Sequence, residues 1–132
     1  MEIDYKKIMD MALICRRRAY APYSNFKVGA ALLTKSGKIY TGCNVENSSY
    51  GATICAERVA VTKAISEGER DFVAIAIVGG RENETDLLVP PCGICLQFLS
   101  EFCDDDFEIV LFKDYGYYSY KLSELLTKGF KL

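Results

Sequence analysis

The chain has 132 residues, half of them hydrophobic and 26% charged, with a formal net charge of -2. This composition predicts one globular domain over residues 1–132, and the acidic balance argues against a nucleic-acid partner, which usually needs a basic patch. The longest apolar run, residues 72–78, is far shorter than the about 20 residues of a membrane span. The N-terminus does not resemble a signal peptide, so we expect a soluble, cytoplasmic protein without a membrane partner.

The first half of the chain predicts a helix followed by a hairpin. Residues 3–19 have apolar side chains at three- and four-residue intervals, which is typical of an amphipathic helix. We interpret Arg16-Arg17-Arg18 as its solvated last turn rather than as an anion site. Residues 26–34 and 38–43 predict two strands joined by a tight turn. Residues 44–51 are polar and predict a loop.

Two further helices surround a central strand. Thr53 is a suitable N-cap for a helix over residues 55–67. Residues 72–78 are nearly all apolar, as in a strand that is covered on both faces. A helix over residues 93–103 follows, with Ile94 among its inward side chains.

The chain ends with a second predicted hairpin. Residues 108–112 and 117–122 predict its strands, and Ser123 is a suitable cap for a final helical turn. The order of elements predicts an α/β fold in three layers, α/β/α, with a mixed five-stranded sheet.

Six cysteines and no histidine restrict the possible chemistry. Without a secretion signal we expect reduced thiols rather than disulfides. A metal site must then use Cys, Asp or Glu, and a proton shuttle must use a group other than imidazole.

Three of the cysteines have the spacing of a metal site. Cys92 and Cys95 lie one helical turn apart, and Cys55 begins a different predicted helix. Helix N-termini favour ionised thiols. Three protein ligands with one open position are the pattern of catalytic zinc, at which a water molecule becomes acidic.

Two residues next to Cys55 complete this candidate site. Glu57 follows in the same predicted turn and can act as general base and then as general acid. Arg58 can donate hydrogen bonds to the ligand sulfurs and withdraw charge from a centre that three thiolates make negative. The alternative for each is an ordinary solvated side chain.

Other readings of the cysteines remain open at this point. The C-x-x-C pair could be a redox motif, although that leaves Glu57 unexplained. A fourth sulfur from Cys15, Cys43 or Cys103 would make the zinc site structural. The alternative for those three is a buried free thiol.

These motifs resemble the zinc signature of the cytidine deaminases, in their small homotetrameric type with three cysteine ligands. The stretches that carry the resemblance are Cys55-Ala56-Glu57-Arg58, Pro91-Cys92-Gly93-Ile94-Cys95, the block from Ala21 to Ala31, and Gly42-Cys43-Asn44-Val45-Glu46-Asn47. They occur in the family's order through nearly the whole chain.

The resemblance implies a role for each matching residue. Phe26 would pack against the pyrimidine nucleoside, and Asn44 and Glu46 would hydrogen-bond the ribose hydroxyls. Ala56 would offer its backbone to the base. Glu57 would contact N3 and the amino group while an activated water attacks C4 and ammonia leaves.

The resemblance also implies a homotetramer with one zinc ion per subunit and active sites shared between subunits. Ser48 and Tyr50 would reach a neighbouring pocket, and Phe130 would cover the base bound in another subunit. One departure is Leu96, where family members often have arginine. We expect that change to affect local packing or subunit contacts.

The sequence therefore predicts a hydrolase that deaminates cytidine and 2'-deoxycytidine in pyrimidine salvage. The first alternative is a deaminase for a modified cytosine nucleoside, as in the blasticidin S deaminases, which Asn44-Val45-Glu46 disfavours because it suits an ordinary ribose. A nucleic-acid editing enzyme and a non-catalytic structural-zinc module are less favoured.

Overall fold

A mixed five-stranded sheet, in the strand order β2-β1-β3-β4-β5, forms the centre of the molecule. The structure is a computed structural model that describes all 132 residues. The strands are β1 (Lys27–Thr34), β2 (Ile39–Cys43), β3 (Phe72–Gly80), β4 (Glu108–Lys113) and β5 (Gly116–Lys121). Only β3 and β4 pair in parallel, since the other neighbours are antiparallel. Both predicted hairpins and the mixed sheet are confirmed.

Helices cover both faces of this sheet. They are α1 (Tyr5–Arg16), α2 (Ala56–Ser66), α3 (Gly93–Phe102) and the short α4 (Leu122–Leu125). Ala31 packs in a cluster with Ile8 of α1, whereas Ala30 packs in a second cluster with Ala60 of α2 and Leu99 of α3. Successive strand residues point to opposite faces, so the three layers of the predicted α/β/α fold are confirmed. The longest helix has 12 residues, and none could cross a membrane.

Arg16 is buried, contrary to the prediction of a solvated last turn. Only 7% of the residue is exposed. Its guanidinium group donates hydrogen bonds to four carbonyl oxygens, those of Lys27, Gly80, Arg81 and Glu84. These carbonyls come from distant parts of the chain, and helical periodicity carries no information about them.

Three local predictions near helix starts are wrong. Cys55, not Thr53, is the N-cap of α2, because an isolated bridge between Val45 and Ile54 keeps the chain extended up to that point. Ser123 lies inside α4, whose N-cap is Lys121. Ile94 is 68% exposed although we predicted it to face inward. The predicted loop over residues 44–51 runs into a short 3-10 turn at Tyr50–Ala52.

The start of α2 lies directly against the edge strand β2. A Cβ atom at Gly42 would be 2.5 Å from the Ala56 carbonyl oxygen and 2.6 Å from the Ala60 nitrogen. No real Cβ atom tolerates such distances, so only glycine allows this approach. The contact fixes the first turn of α2, and with it Cys55, relative to the sheet.

Candidate functional site

The sulfur atoms of Cys55, Cys92 and Cys95 all lie within 4.8 Å of one another. Cys55 is the N-cap of α2, Cys92 is the N-cap of α3, and Cys95 lies in the first turn of α3. Two helix N-termini therefore converge on one cluster of thiols, as the spacing predicted. Cysteine sulfurs are soft ligands that suit zinc, so the residues present fit this ion.

The thiols in this cluster differ in acidity. A hydrogen bond with the Cys95 thiol, assisted by Arg58, lowers the pKa of Cys55 to about 5. The same hydrogen bond, together with burial, raises the pKa of Cys95. Helix N-termini also favour thiolates by their dipole. The cluster thus contains an ionised sulfur before a metal ion binds.

Glu57 is buried beside the thiols. Its residue is only 4% exposed, and burial raises the pKa of its carboxyl group to about 7. The negative charge of Cys55 acts in the same direction. A carboxyl group with such a pKa can both accept and return a proton near neutral pH.

Arg58 directs its guanidinium group at the same cluster. Its Nη2 atom donates to the Sγ atom of Cys55 at 3.6 Å and to the carbonyl oxygen of Thr53 at 3.2 Å. Its Nε atom is buried without a hydrogen-bond partner. A half-buried cation whose buried Nε donor is free fits beside an anionic metal centre, where it would withdraw charge from the sulfurs.

The remaining cysteines stay outside the cluster. Cys15, Cys43 and Cys103 are free thiols, and none of them joins the three-sulfur group. Cys103 is buried, and burial raises the pKa of its thiol to about 12. A site with three sulfur ligands and no fourth protein ligand has the composition of catalytic zinc centres.

A cavity of about 370 Å³ lies between the loop before β1 and the segment that leads to Cys55. It is lined by residues of two loops: Tyr23, Ser24, Glu46, Asn47, Tyr50 and Thr53. Thr53 is two residues from Cys55, and its carbonyl oxygen accepts from Arg58. Glu46 and Tyr50, both candidate substrate residues, are thereby brought to the same cavity.

Glu46 is held in place by the loop that precedes β1. Its carboxylate accepts hydrogen bonds from the backbone N–H groups of Tyr23 and Ser24 and from the hydroxyl group of Ser24. The Ser24 hydroxyl is the main reason why the pKa of Glu46 lies below its usual range. Glu46 is therefore a carboxylate with a fixed orientation.

Asn44 uses its side-chain amide to hold the start of β1. It accepts from the Val28 N–H at 2.8 Å and donates to the Phe26 carbonyl oxygen at 2.9 Å. An amide has two N–H donors and two oxygen lone pairs, so one of each remains for a ligand. The ring of half-buried Phe26 packs near Gly79.

Ser48 and Tyr50 both contact Tyr23. The hydroxyl groups of Tyr23 and Ser48 are 2.7 Å apart, and the rings of Tyr23 and Tyr50 meet edge to face with centroids 6.2 Å apart. The sequence motifs assign no role to Tyr23 or Ser24. Both lie in the loop before β1, and the polar and aromatic composition of that loop was the only sequence feature that could have indicated a binding role.

The other candidate residues take different positions. The Ala56 side chain is fully buried, so only its main chain can meet a ligand. Phe130 is 67% exposed and lies by a separate cavity of about 480 Å³, beside α3 and α4. Leu96 is half-buried and packs against the core cluster that contains Ala60 and Leu99. This chain alone therefore does not bring Phe130 to the cavity that contains Glu46.

Comparison with known proteins agrees with this geometry. Residues 2–111 match the family described as "Cytidine and deoxycytidylate deaminase zinc-binding region". A cytidine deaminase of Halalkalibacterium halodurans is 50% identical over 109 residues, which cover 83% of this chain and 80% of that protein. A blasticidin-S deaminase of Bacillus cereus is 34% identical over 87 residues, or 63% of this chain and 62% of that one.

A solved structure extends the similarity to the whole fold. The crystal structure of a cytidine deaminase from Burkholderia pseudomallei superposes with a TM-score of 0.88 at 44% identity. The match covers 97% of this chain and all of the other chain, 100%. The chain belongs to the cytidine and deoxycytidylate deaminase family of zinc-binding proteins.

Proposed function

We propose that this protein is a zinc-dependent hydrolase that converts cytidine and 2'-deoxycytidine to uridine and 2'-deoxyuridine, with water consumed and ammonia released. The observation that carries the proposal is the buried Glu57 beside three sulfurs that lie within 4.8 Å of one another. When bound, zinc supplies the Lewis acidity that makes water a good nucleophile near neutral pH.

Cys55, Cys92 and Cys95 are the proposed ligands of one zinc ion per subunit. Their convergence without a fourth protein ligand supports a catalytic centre over a structural one. Arg58 is proposed to donate to Cys55 and lower the negative charge of the centre.

Glu57 is the proposed proton shuttle. It takes one proton from the attacking water and gives it to N3, and then takes the second proton of that water and gives it to the departing amino group, which leaves as ammonia. Its pKa of about 7 supports both steps near neutral pH. The chain has no histidine that could take this role.

The proposed nucleoside pocket is built from the loops around the cavity that contains Glu46. Phe26 packs against the base, and the Ala56 backbone contacts it. Glu46 and the free capacity of the Asn44 amide bind the ribose hydroxyls. The fixed orientation of the Glu46 carboxylate supports this assignment, because a preorganised acceptor binds a diol with little loss of entropy.

We further propose a homotetramer whose active sites are shared. In this arrangement Ser48 and Tyr50 reach a neighbouring pocket, and Phe130 covers the base bound in another subunit. Tyr20, Val45 and Ile54 support such an interface, because bridge pairs join them into one row and each is at least 40% exposed.

The cytoplasm and pyrimidine salvage are the proposed setting. All six cysteines are free thiols, which suits a reducing compartment. No nucleic acid is expected as substrate, since the proposed pocket is closed by an aromatic ring from another subunit.

One assay tests the activity and its main alternative together. The purified zinc-loaded protein is incubated with cytidine, with 2'-deoxycytidine and with blasticidin S, and the loss of cytosine absorbance is followed. We expect turnover of the two simple nucleosides. Turnover of blasticidin S alone would favour the alternative, and no turnover of any of them would refute the proposal.

A further inference from the structure

Gln97 and Phe130 are joined by a pair of hydrogen bonds. The Gln97 Nε2 atom donates to the Phe130 carbonyl oxygen at 2.8 Å, and the Phe130 N–H donates to the Gln97 Oε1 atom at 3.3 Å. One side-chain amide thus satisfies both backbone groups of one residue, as a neighbouring strand would do. The main chain of Phe130 is thereby fixed relative to α3.

No other hydrogen bond holds the end of the chain. The last backbone bond of α4 is made by Leu126, and residues 127–132 make only the two bonds with Gln97. The position of this tail therefore depends mainly on Gln97 and on packing.

The packing comes from a close approach at Gly129. A Cβ atom there would lie 2.8 Å from the Leu126 Cδ2 atom and 3.4 Å from the Ser100 side chain. Ser100 is one helical turn beyond Gln97, and its hydroxyl group donates to the Gln97 carbonyl oxygen at 2.6 Å. The tail thus crosses one face of α3 at two adjacent points.

The pair of hydrogen bonds between Gln97 and Phe130, which we call the clamp, leaves the aromatic ring of Phe130 exposed. Phe130 remains 67% exposed although its backbone is fixed. The backbone of Phe130 is therefore already ordered before another subunit binds. Less conformational entropy is then lost on binding, which favours the contact.

We propose that Gln97 is a positioning residue that presents Phe130 to the base bound in a neighbouring subunit. This proposal rests on the proposed function, in which the ring of Phe130 covers the base. The helix that carries Gln97 also begins with the thiols of Cys92 and Cys95. A single rigid element thus sets both the metal ligands of one site and the aromatic wall of another.

A double-mutant cycle tests this role. Gln97→Met keeps the length of the side chain but loses both hydrogen bonds, and Phe130→Ala removes the ring. We expect Gln97→Met to raise the KM for cytidine about tenfold, with a smaller change in kcat, because two hydrogen bonds are lost. In the Phe130→Ala background the same change should have no further effect.

The outcomes separate the two hypotheses. If Phe130→Ala lowers kcat/KM but Gln97→Met does not, or if the two effects add, the positioning role is refuted and the covering role of Phe130 stands. If Phe130→Ala itself has no effect, the covering role fails and the positioning role fails with it. Gln97→Glu keeps the acceptor for the Phe130 N–H, so it should give an intermediate KM.

A direct readout of the tail uses the absence of tryptophan from the chain. Phe130→Trp introduces a single reporter, whose fluorescence anisotropy is measured in zinc-loaded protein with and without Gln97→Met. We expect a lower anisotropy without the clamp, at equal zinc content and an equal thermal midpoint. Equal anisotropies in the two proteins would refute the clamp.

Discussion

The guanidinium group of Arg58 lies 3.6 Å from the sulfur of Cys55, one helical turn away at the start of α2. Arg58 also donates a hydrogen bond to the carbonyl oxygen of Thr53, two residues before that cysteine. One side chain thus fixes the entry to the helix and supplies positive charge to the thiol that begins it.

Replacing Arg58 should weaken the centre without removing it. Arg58→Ala is expected to lower zinc affinity or kcat by about 10- to 100-fold, as for other residues that support metal ligands. Arg58→Lys keeps the charge but not the planar fork, so it should recover only part of the loss. Zinc competition with a chelator and steady-state kinetics measure the two effects. Full activity and full affinity in Arg58→Ala would contradict the role.

Glu57 should be separable from metal binding. Glu57→Gln keeps the size of the side chain but cannot shuttle a proton, so we expect kcat to fall by at least about 100-fold. Zinc content, measured by atomic spectrometry, should stay at one ion per chain.

Glu67 provides a matched control at the other end of the same helix. It is exposed, and Glu67→Gln makes the same chemical change away from the thiols. We expect unchanged kinetics for this variant. An active Glu57→Gln protein would show that the proton passes through another group.

The three-sulfur cluster should account for all of the bound zinc. Cys95→Ser is expected to lose the ion and the activity, because the site would retain only two sulfur ligands. Cys43→Ser serves as the control, since Cys43 lies outside the cluster. It should keep both zinc and activity. Loss of zinc from the control would mean that a fourth cysteine takes part in binding.

Shared active sites predict complementation between two defective subunits. Glu57→Gln chains and Phe130→Ala chains are co-expressed with different tags, and the mixed assemblies are purified. Some sites then combine an intact Glu57 from one chain with an intact Phe130 from the other. We expect kcat/KM above the sum of the separate proteins.

A matched mixture tests this interpretation. Phe130→Ala chains are combined with chains that carry both Glu57→Gln and Phe130→Ala, so that no complete site can form. This mixture should show only the activity of its Phe130→Ala share. An equal gain in both mixtures would contradict shared sites.

The metal site was predictable because its geometry is local to helix starts. A C-x-x-C pair in a first turn brings its sulfurs together wherever the helix lies, and Cys55 needed only one further helix start nearby. Arg16 was not predictable in the same way. Its hydrogen-bond partners in residues 80–84 are brought to it by the pairing of β1 with β3 and by the loop that follows.

The same contrast applies inside the pocket. The family's pattern pointed to Glu46 and Asn44, but it did not indicate that Ser24 orients one or that the other holds β1. The role of Gln97 was hidden for a similar reason. Its partner Phe130 is 33 residues away, and nothing in the helical pattern of α3 indicates a clamp.

Neither Cys55 nor Cys92 makes a side-chain hydrogen bond to the helix that it begins. Most helices receive this support from a serine, threonine or aspartate. Here a metal ion that draws both cysteines to one point would tie the two helix starts together instead. Zinc binding then adds directly to the free energy of folding, as for any ligand that binds only the native state. The supply of zinc in a cell would therefore set how much of this protein survives proteolysis, as well as how much of it is active.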